Sequence, residues 1–118
     1  MTKVMIVDDD AVTVSLLETL LELDGYEVVV VRRGIDVVPE AEAKSPDIIL
    51  MDFHLADMEG VEIIKAIRSH ATLSAMPIIM ASGMDVSDEA LAAGANKFII
   101  KPFEPSDLPE LFNSLLPG

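Results

Sequence analysis

With 118 residues the chain is long enough for one hydrophobic core and too short for two, so a single domain over residues 1–118 is expected, and 51% hydrophobic with 25% charged residues is a globular composition. A net charge of −13, from 21 acidic against 8 basic residues, repels phosphate backbones and anionic membrane surfaces, which argues against direct nucleic-acid or membrane binding. The lack of cysteine excludes disulfides and thiol catalysis, and with no long uncharged apolar run and no basic-then-apolar leader a cytoplasmic protein is expected.

In chain order, Lys3 to Val7 is a short apolar run of strand length that ends in Asp8, Asp9 and Asp10. Asp10 reads as the N-cap of a first helix, with Val12, Leu16, Leu17, Leu20 and Leu23 at helical spacing and Asp24-Gly25 as its stop. A second strand follows over Tyr26 to Val31. Pro39 falls where the next helix should be under way, so that helix starts late or is irregular. Ser45-Pro46-Asp47 precedes a third strand, Ile48 to Met51, which runs into Asp52. The third helix turns Val61, Ile64 and Ile67 to one face and Glu62, Lys65 and Arg68 to the other. The fourth strand, Pro77 to Ala81, leads to Ser82, and Gly94 ends the helix after it. The fifth, Phe98 to Ile100, leads to Lys101-Pro102. Ser106 is the expected N-cap of the last helix, which leaves Pro109 in its first turn. No linker, internal repeat or low-complexity stretch interrupts the series.

Strands that are continuously apolar rather than alternating are buried on both faces, so the sheet is parallel, with helices on each side and right-handed crossovers. The fold class is α/β, a doubly wound (βα)5 three-layer sandwich. In such a sheet ligands bind beyond the carboxyl ends of the strands where the winding reverses, here between the first and third strands, where Asp8, Asp9 and Asp52 meet. Three carboxylates in one crevice repel one another unless a cation or shifted protonation relieves them. Ligands that are all oxygen favour magnesium, which is often shared between carboxylates and a phosphate. Lys101 adds a positive charge and Ser82 a hydroxyl, and a carboxylate can itself be a nucleophile, so the set suits an aspartyl phosphate.

Each residue also has a plainer reading. An acidic triplet taken alone is most often a solvated turn or helix cap, Ser82 alone a turn serine and Phe98 alone core packing. Only the combination with Asp52 and Lys101 promotes them. His54 lies beside the site and outside any histidine cluster, so its imidazole reads as a modulator, and His70 as a surface residue. The seven methionines read as core filler, with Met84, two positions after Ser82, set apart.

The stretches VMIVDDD, PDIILMDFHLADMEG, PIIMASG and GANKFIIKPF, in this order, resemble the successive signatures of response-regulator receiver domains and cover Lys3 to Phe103. The resemblance implies a flavodoxin-like sheet of order 2-1-3-4-5 and a two-component signalling role. It implies Asp52 as phosphoacceptor and Asp8 and Asp9 as the acidic pair, with Asp9, Asp52 and the backbone carbonyl of His54 coordinating magnesium. It further implies Ser82 as the phosphoryl-binding hydroxyl, Phe98 as the switch aromatic, Lys101 as the family's lysine and a cis Lys101–Pro102 bond. A phenylalanine has no hydroxyl to hold it at the surface, so Phe98 is expected to favour the buried position. The implied partners are a sensor histidine kinase or histidine phosphotransfer protein upstream and an output domain or protein downstream. Two departures stand out. Ala56 occupies a position where the family usually has proline, which suggests a looser loop, and the short segment from Gly83 to Gly94 suggests a fourth helix about one turn shorter.

Three rivals are weaker. A magnesium-dependent phosphatase with an aspartyl nucleophile usually needs a second acid where this chain has His54. An FMN protein of flavodoxin type needs a Ser/Thr/Gly-rich phosphate cradle where this chain is acidic. A receiver that only binds proteins would not keep Asp9, Asp52, Ser82 and Lys101 together.

Overall fold

Five parallel strands, β1 (Lys3–Val7), β2 (Glu27–Val31), β3 (Ile48–Asp52), β4 (Ile78–Ser82) and β5 (Lys97–Ile100), form one sheet in the order β2-β1-β3-β4-β5. Five helices connect and flank them: α1 (Ala11–Leu23), α2 (Val37–Lys44), α3 (Gly60–Arg68), α4 (Ser87–Ala93) and α5 (Leu108–Leu115). The computed structural model describes residues 1–116.

Successive strand side chains point to opposite faces, and here both faces are apolar. Met5, Val7, Ile49, Met51, Ile78 and Met80 join the core under α2, α3 and α4, built with Val37, Ile63, Ile64, Ile67 and Ala90. Val4, Ile6, Ile48, Leu50 and Ile79 join a second core under α1 and α5, with Val14, Leu17, Leu21, Leu108 and Phe112. Full burial of each large apolar side chain contributes about 1.5–3 kcal/mol, so the two cores hold the sheet as a rigid platform for its loops.

The helices depart from expectation in two places. On α1 the buried stripe is Val14, Leu17 and Leu21, while Val12, Leu16 and Leu23 are exposed. The helix carries two apolar stripes, and the sheet covers the one containing Val14. On the last helix Ser106 is not the cap. Pro105–Asp107 forms a 3-10 turn closed by Asp107 N–H donating to the Glu104 carbonyl at 2.9 Å, and α5 begins at Leu108 with Asp107 in the cap position. Pro109 lies in the first turn, where no donor is required. Pro39 is accommodated in the same manner, because a 3-10 turn at Gly34–Asp36 delays α2 until Val37. Helix α4 has only seven residues and stops at Gly94, whose φ of 120° lies in the region that favours glycine.

Candidate functional site

Strand register assembles the site. Val7 pairs with Met51, so Asp8, the next residue, comes level with Asp52 at the end of β3. Asp52 in turn pairs with Ala81, which puts Ser82 one step beyond on β4, and Ser82 pairs with Ile100, the residue before Lys101. The Lys101 N–H donates to the Ser82 carbonyl at 2.8 Å, extending the ladder into the loop that carries the lysine. The Lys101–Pro102 bond is cis.

The Lys101 ammonium bridges two carboxylates, 3.3 Å from Asp8 Oδ2 and 3.2 Å from Asp52 Oδ1. Asp8 is buried and also accepts the Asp10 N–H at 2.9 Å. Burial disfavours the ammonium form of Lys101, but the charges of Asp8 and Asp52 outweigh it and hold its pKa above the usual lysine value. For Asp52 burial dominates in the opposite sense. Its pKa is raised, with Asp8 adding to the rise, and Lys101 and the His54 backbone N–H offset only part of it. Asp52 is thus a half-buried, unusually basic carboxylate facing a fixed cation.

Asp9 is exposed, and its Oδ2 accepts the Ala56 N–H at 2.7 Å. One ligand atom from each of Asp8, Asp9 and Asp52 lies within 4.8 Å of the others. An octahedral magnesium with oxygens at about 2.0–2.1 Å sets its ligand atoms roughly 3–4 Å apart, so this all-oxygen trio fits that ion after small movements. Asp10 stands apart from the trio as the N-cap of α1, accepting the Val12 N–H at 3.3 Å and the Thr13 hydroxyl at 2.6 Å.

Ser82 is buried, and its hydroxyl oxygen accepts the Met84 N–H at 3.2 Å, which leaves the hydroxyl proton to donate elsewhere. Met84 itself is exposed. Phe98, opposite Met80, is half-buried and packs against the core under α4, only part of the way to the buried position expected for it. The imidazole of His54 pairs with Glu59, with Nδ1 2.8 Å from Oε2, and packs edge-on against Phe53. His70 pairs with Glu42 at 3.2 Å. Gly60 opens α3 beneath the site. A Cβ there would lie 2.6 Å from the Met80 methyl and 2.8 Å from the Asp52 carbonyl oxygen, so only glycine lets the loop fold back this closely.

Sequence reasoning overlooked Asp57 and misjudged Arg68. Asp57 Oδ1 and Oδ2 accept the N–H groups of Gly34 and Ile35 at 2.8 and 3.0 Å. Arg68, read with Glu62 and Lys65 as part of the polar face of its helix, donates to the carbonyls of Gly94, Met76 and Ser74 and to Asn96 Oδ1. Both join segments distant in sequence, and no local pattern marks such pairings.

The sequence pattern of the response regulator receiver domain matches residues 4–113. Among curated relatives, the alkaline phosphatase synthesis transcriptional regulatory protein PhoP of Bacillus subtilis is 32% identical over 109 residues, which is 90% of this chain and 45% of the relative. The chain spans less than half the length of the curated relatives it matches here. Among solved structures, chemotaxis response regulator CheY4 of Vibrio cholerae superposes with a TM-score of 0.90 at 29% identity, covering 98% of this chain and 99% of that one. The receiver domain of the sensor histidine kinase PA1611 of Pseudomonas aeruginosa PAO1, which has a magnesium ion coordinated in its active-site cleft, gives 0.88 at 30% identity over 97% and 96%. Register, bridging lysine and sequence match converge on one assignment: the chain belongs to the response regulator receiver domain family and acts as a signalling module of two-component systems.

Proposed function

We propose that residues 1–118 work as one receiver unit in the cytoplasm, taking a phosphoryl group onto Asp52 from a phosphohistidine of a sensor kinase or phosphotransfer protein. The observation that carries this reading is the Lys101 ammonium held against both Asp8 and Asp52 beside a third carboxylate, Asp9. The Asp52 carboxylate attacks phosphorus, the P–N bond breaks, and its electron pair leaves with the imidazole nitrogen. Asp8, Asp9, Asp52 and the backbone carbonyl of His54 would hold magnesium, and the magnesium-bearing cleft of the related PA1611 receiver supports this. Magnesium, when bound, supplies charge neutralisation for the phosphoryl oxygens. Lys101 adds a fixed positive charge beside the nucleophile. The buried Ser82 hydroxyl, now turned to the Met84 N–H, donates its proton to a phosphoryl oxygen, and Phe98 moves inward as Ser82 is drawn to the site. The repacked surface around α4 and β5 then engages an output domain or protein, while the negative field of the domain keeps nucleic acid out of direct contact.

Intact-mass spectrometry after incubation with a small phosphodonor and magnesium tests the reading. The wild type gains one phosphoryl group and Asp52→Asn gains none. Equal labelling of the two proteins removes Asp52 from the acceptor role.

A further inference from the structure

The loop from Phe53 to Glu59 carries two groups that face the acidic cluster, the His54 backbone and the Ala56 N–H, and it is fastened on both sides. On the site side, Ala56 N–H donates to Asp9 Oδ2 at 2.7 Å. A proline at this position has no N–H, so this bond exists because the chain has alanine there. On the far side, both carboxylate oxygens of Asp57 accept backbone N–H groups, from Gly34 at 2.8 Å and Ile35 at 3.0 Å. These donors open the 3-10 turn at Gly34–Asp36, where N–H groups lack partners within the turn. The fit is close: a Cβ on Gly34 would overlap the Met58 Cγ, so the Met58 side chain of the loop packs directly on the turn and would have to shift for any larger residue there. The two N–H bonds, Gly34 first, hold the Asp57 carboxyl below its ordinary pKa, so the fastening persists as a charged one at neutral pH.

We infer that Asp57 is a positioning residue for the metal site: by clasping the turn after β2 it holds the loop so that the Ala56 N–H orients the Asp9 carboxylate. Asp9 is exposed and would otherwise sample several rotamers. The Ala56 bond fixes the Asp9 carboxylate while one of its oxygens lies within 4.8 Å of ligand atoms of Asp8 and Asp52, and the bond also draws off part of the charge that the three carboxylates share. The inference rests on the magnesium reading above and adds a residue that does not itself touch the ion. If the competent loop is nearly fully populated in the wild type and falls to between a third and a tenth without the clasp, the apparent magnesium Kd rises about three- to tenfold.

The experiment measures magnesium Kd by calorimetric titration, melting temperature, and amide hydrogen exchange at Gly34, Ile35 and Ala56 in wild type, Asp57→Ala and Asp57→Asn. In Asp57→Ala, exchange at Ala56 accelerates together with Gly34 and Ile35, and the Kd rises at least threefold. Asp57→Asn keeps one acceptor oxygen, folds with minimal disturbance and falls between the two. A melting temperature that drops while Kd stays within twofold and Ala56 remains protected makes Asp57 merely structural and overturns the inference. If Asp57→Ala does not fold, the same Kd and Ala56 criteria applied to Asp57→Asn decide it. A wild type that takes up no magnesium overturns the metal assignment itself, an outcome distinct from wild-type uptake that is indifferent to Asp57.

Discussion

Asp52 has a raised pKa with an ammonium group 3.2 Å away, because burial and the neighbouring Asp8 together outweigh the Lys101 pair. A folded-state pKa above the unfolded value means that the folded protein binds that proton more tightly, so the corresponding stability is lost as pH rises. The loss begins near the unfolded carboxylate value of about 3.9 and is complete above the raised folded one. Asp52→Asn never ionises. In chelator, its melting-temperature advantage over wild type is therefore absent near about pH 3.5 and larger at about pH 7. If Asp52 helps to hold magnesium as proposed, the ion is expected to reverse the ranking at neutral pH, since it stabilises the folded state that binds it best. Thermal melts of both proteins at the two pH values, with chelator and with magnesium, check this. A gap that does not change with pH assigns the effect to packing and not to the charge of Asp52.

At the level of elements, Arg68 shows what joins the pieces once the strands are paired. Its guanidinium donates to the Gly94 carbonyl from Nε at 3.0 Å and Nη2 at 2.7 Å, capping the end of α4, and from Nη1 to Met76 at 2.7 Å and Ser74 at 3.1 Å in the segment before β4. Glycine at position 94 also suits the arginine, because a Cβ would lie 3.0 Å from Arg68 Cγ and the Arg68 side chain would have to give way. Arg68→Ala is expected to cost about 2 kcal/mol in urea unfolding, and Arg68→Lys recovers little of it because an ammonium cannot serve several carbonyls in one plane. Full recovery by lysine would mean that charge alone matters. The strands were legible in the sequence because apolar runs buried on two faces are continuous, and Asp8, Asp52, Ser82 and Lys101 were legible because each follows such a run. The face of α1 was not, because two stripes competed and only the sheet distinguishes Val14 from Val12. The start of α5 was misread because Pro105 stabilises a 3-10 turn that absorbs Ser106. The roles of Arg68 and Asp57 depend on partners 26 and 23 residues away, beyond any local pattern.

For the molecule as a whole, the question is how a change at one carboxylate reaches a surface on the far side of β4 and β5. The path visible in the structure is short. Ser82 is buried next to the site, its carbonyl takes the Lys101 N–H, its hydroxyl takes the Met84 N–H at the entry to the α4 segment, and Phe98 lies on the adjacent strand, half-buried under α4. On the proposed function, a phosphoryl group at Asp52 would compete for that hydroxyl, so the Met84 bond and the position of Phe98 are expected to change together. A hydrogen bond to a charged group contributes about 1.5–3 kcal/mol, which shifts a two-state equilibrium by about ten- to a hundredfold. Ser82→Ala keeps Asp52, Lys101 and the acidic pair, so it still accepts a phosphoryl group while its surface responds less. Amide NMR shifts around Met84, Phe98 and α4, compared in wild type and Ser82→Ala with and without a beryllofluoride mimic, separate the two effects. In the variant the shifts near Asp52 persist and those near Phe98 and α4 shrink. Identical shift changes in both proteins would place the coupling outside Ser82 and leave the backbone link from Lys101 N–H to the Ser82 carbonyl as the remaining route from the site to β5.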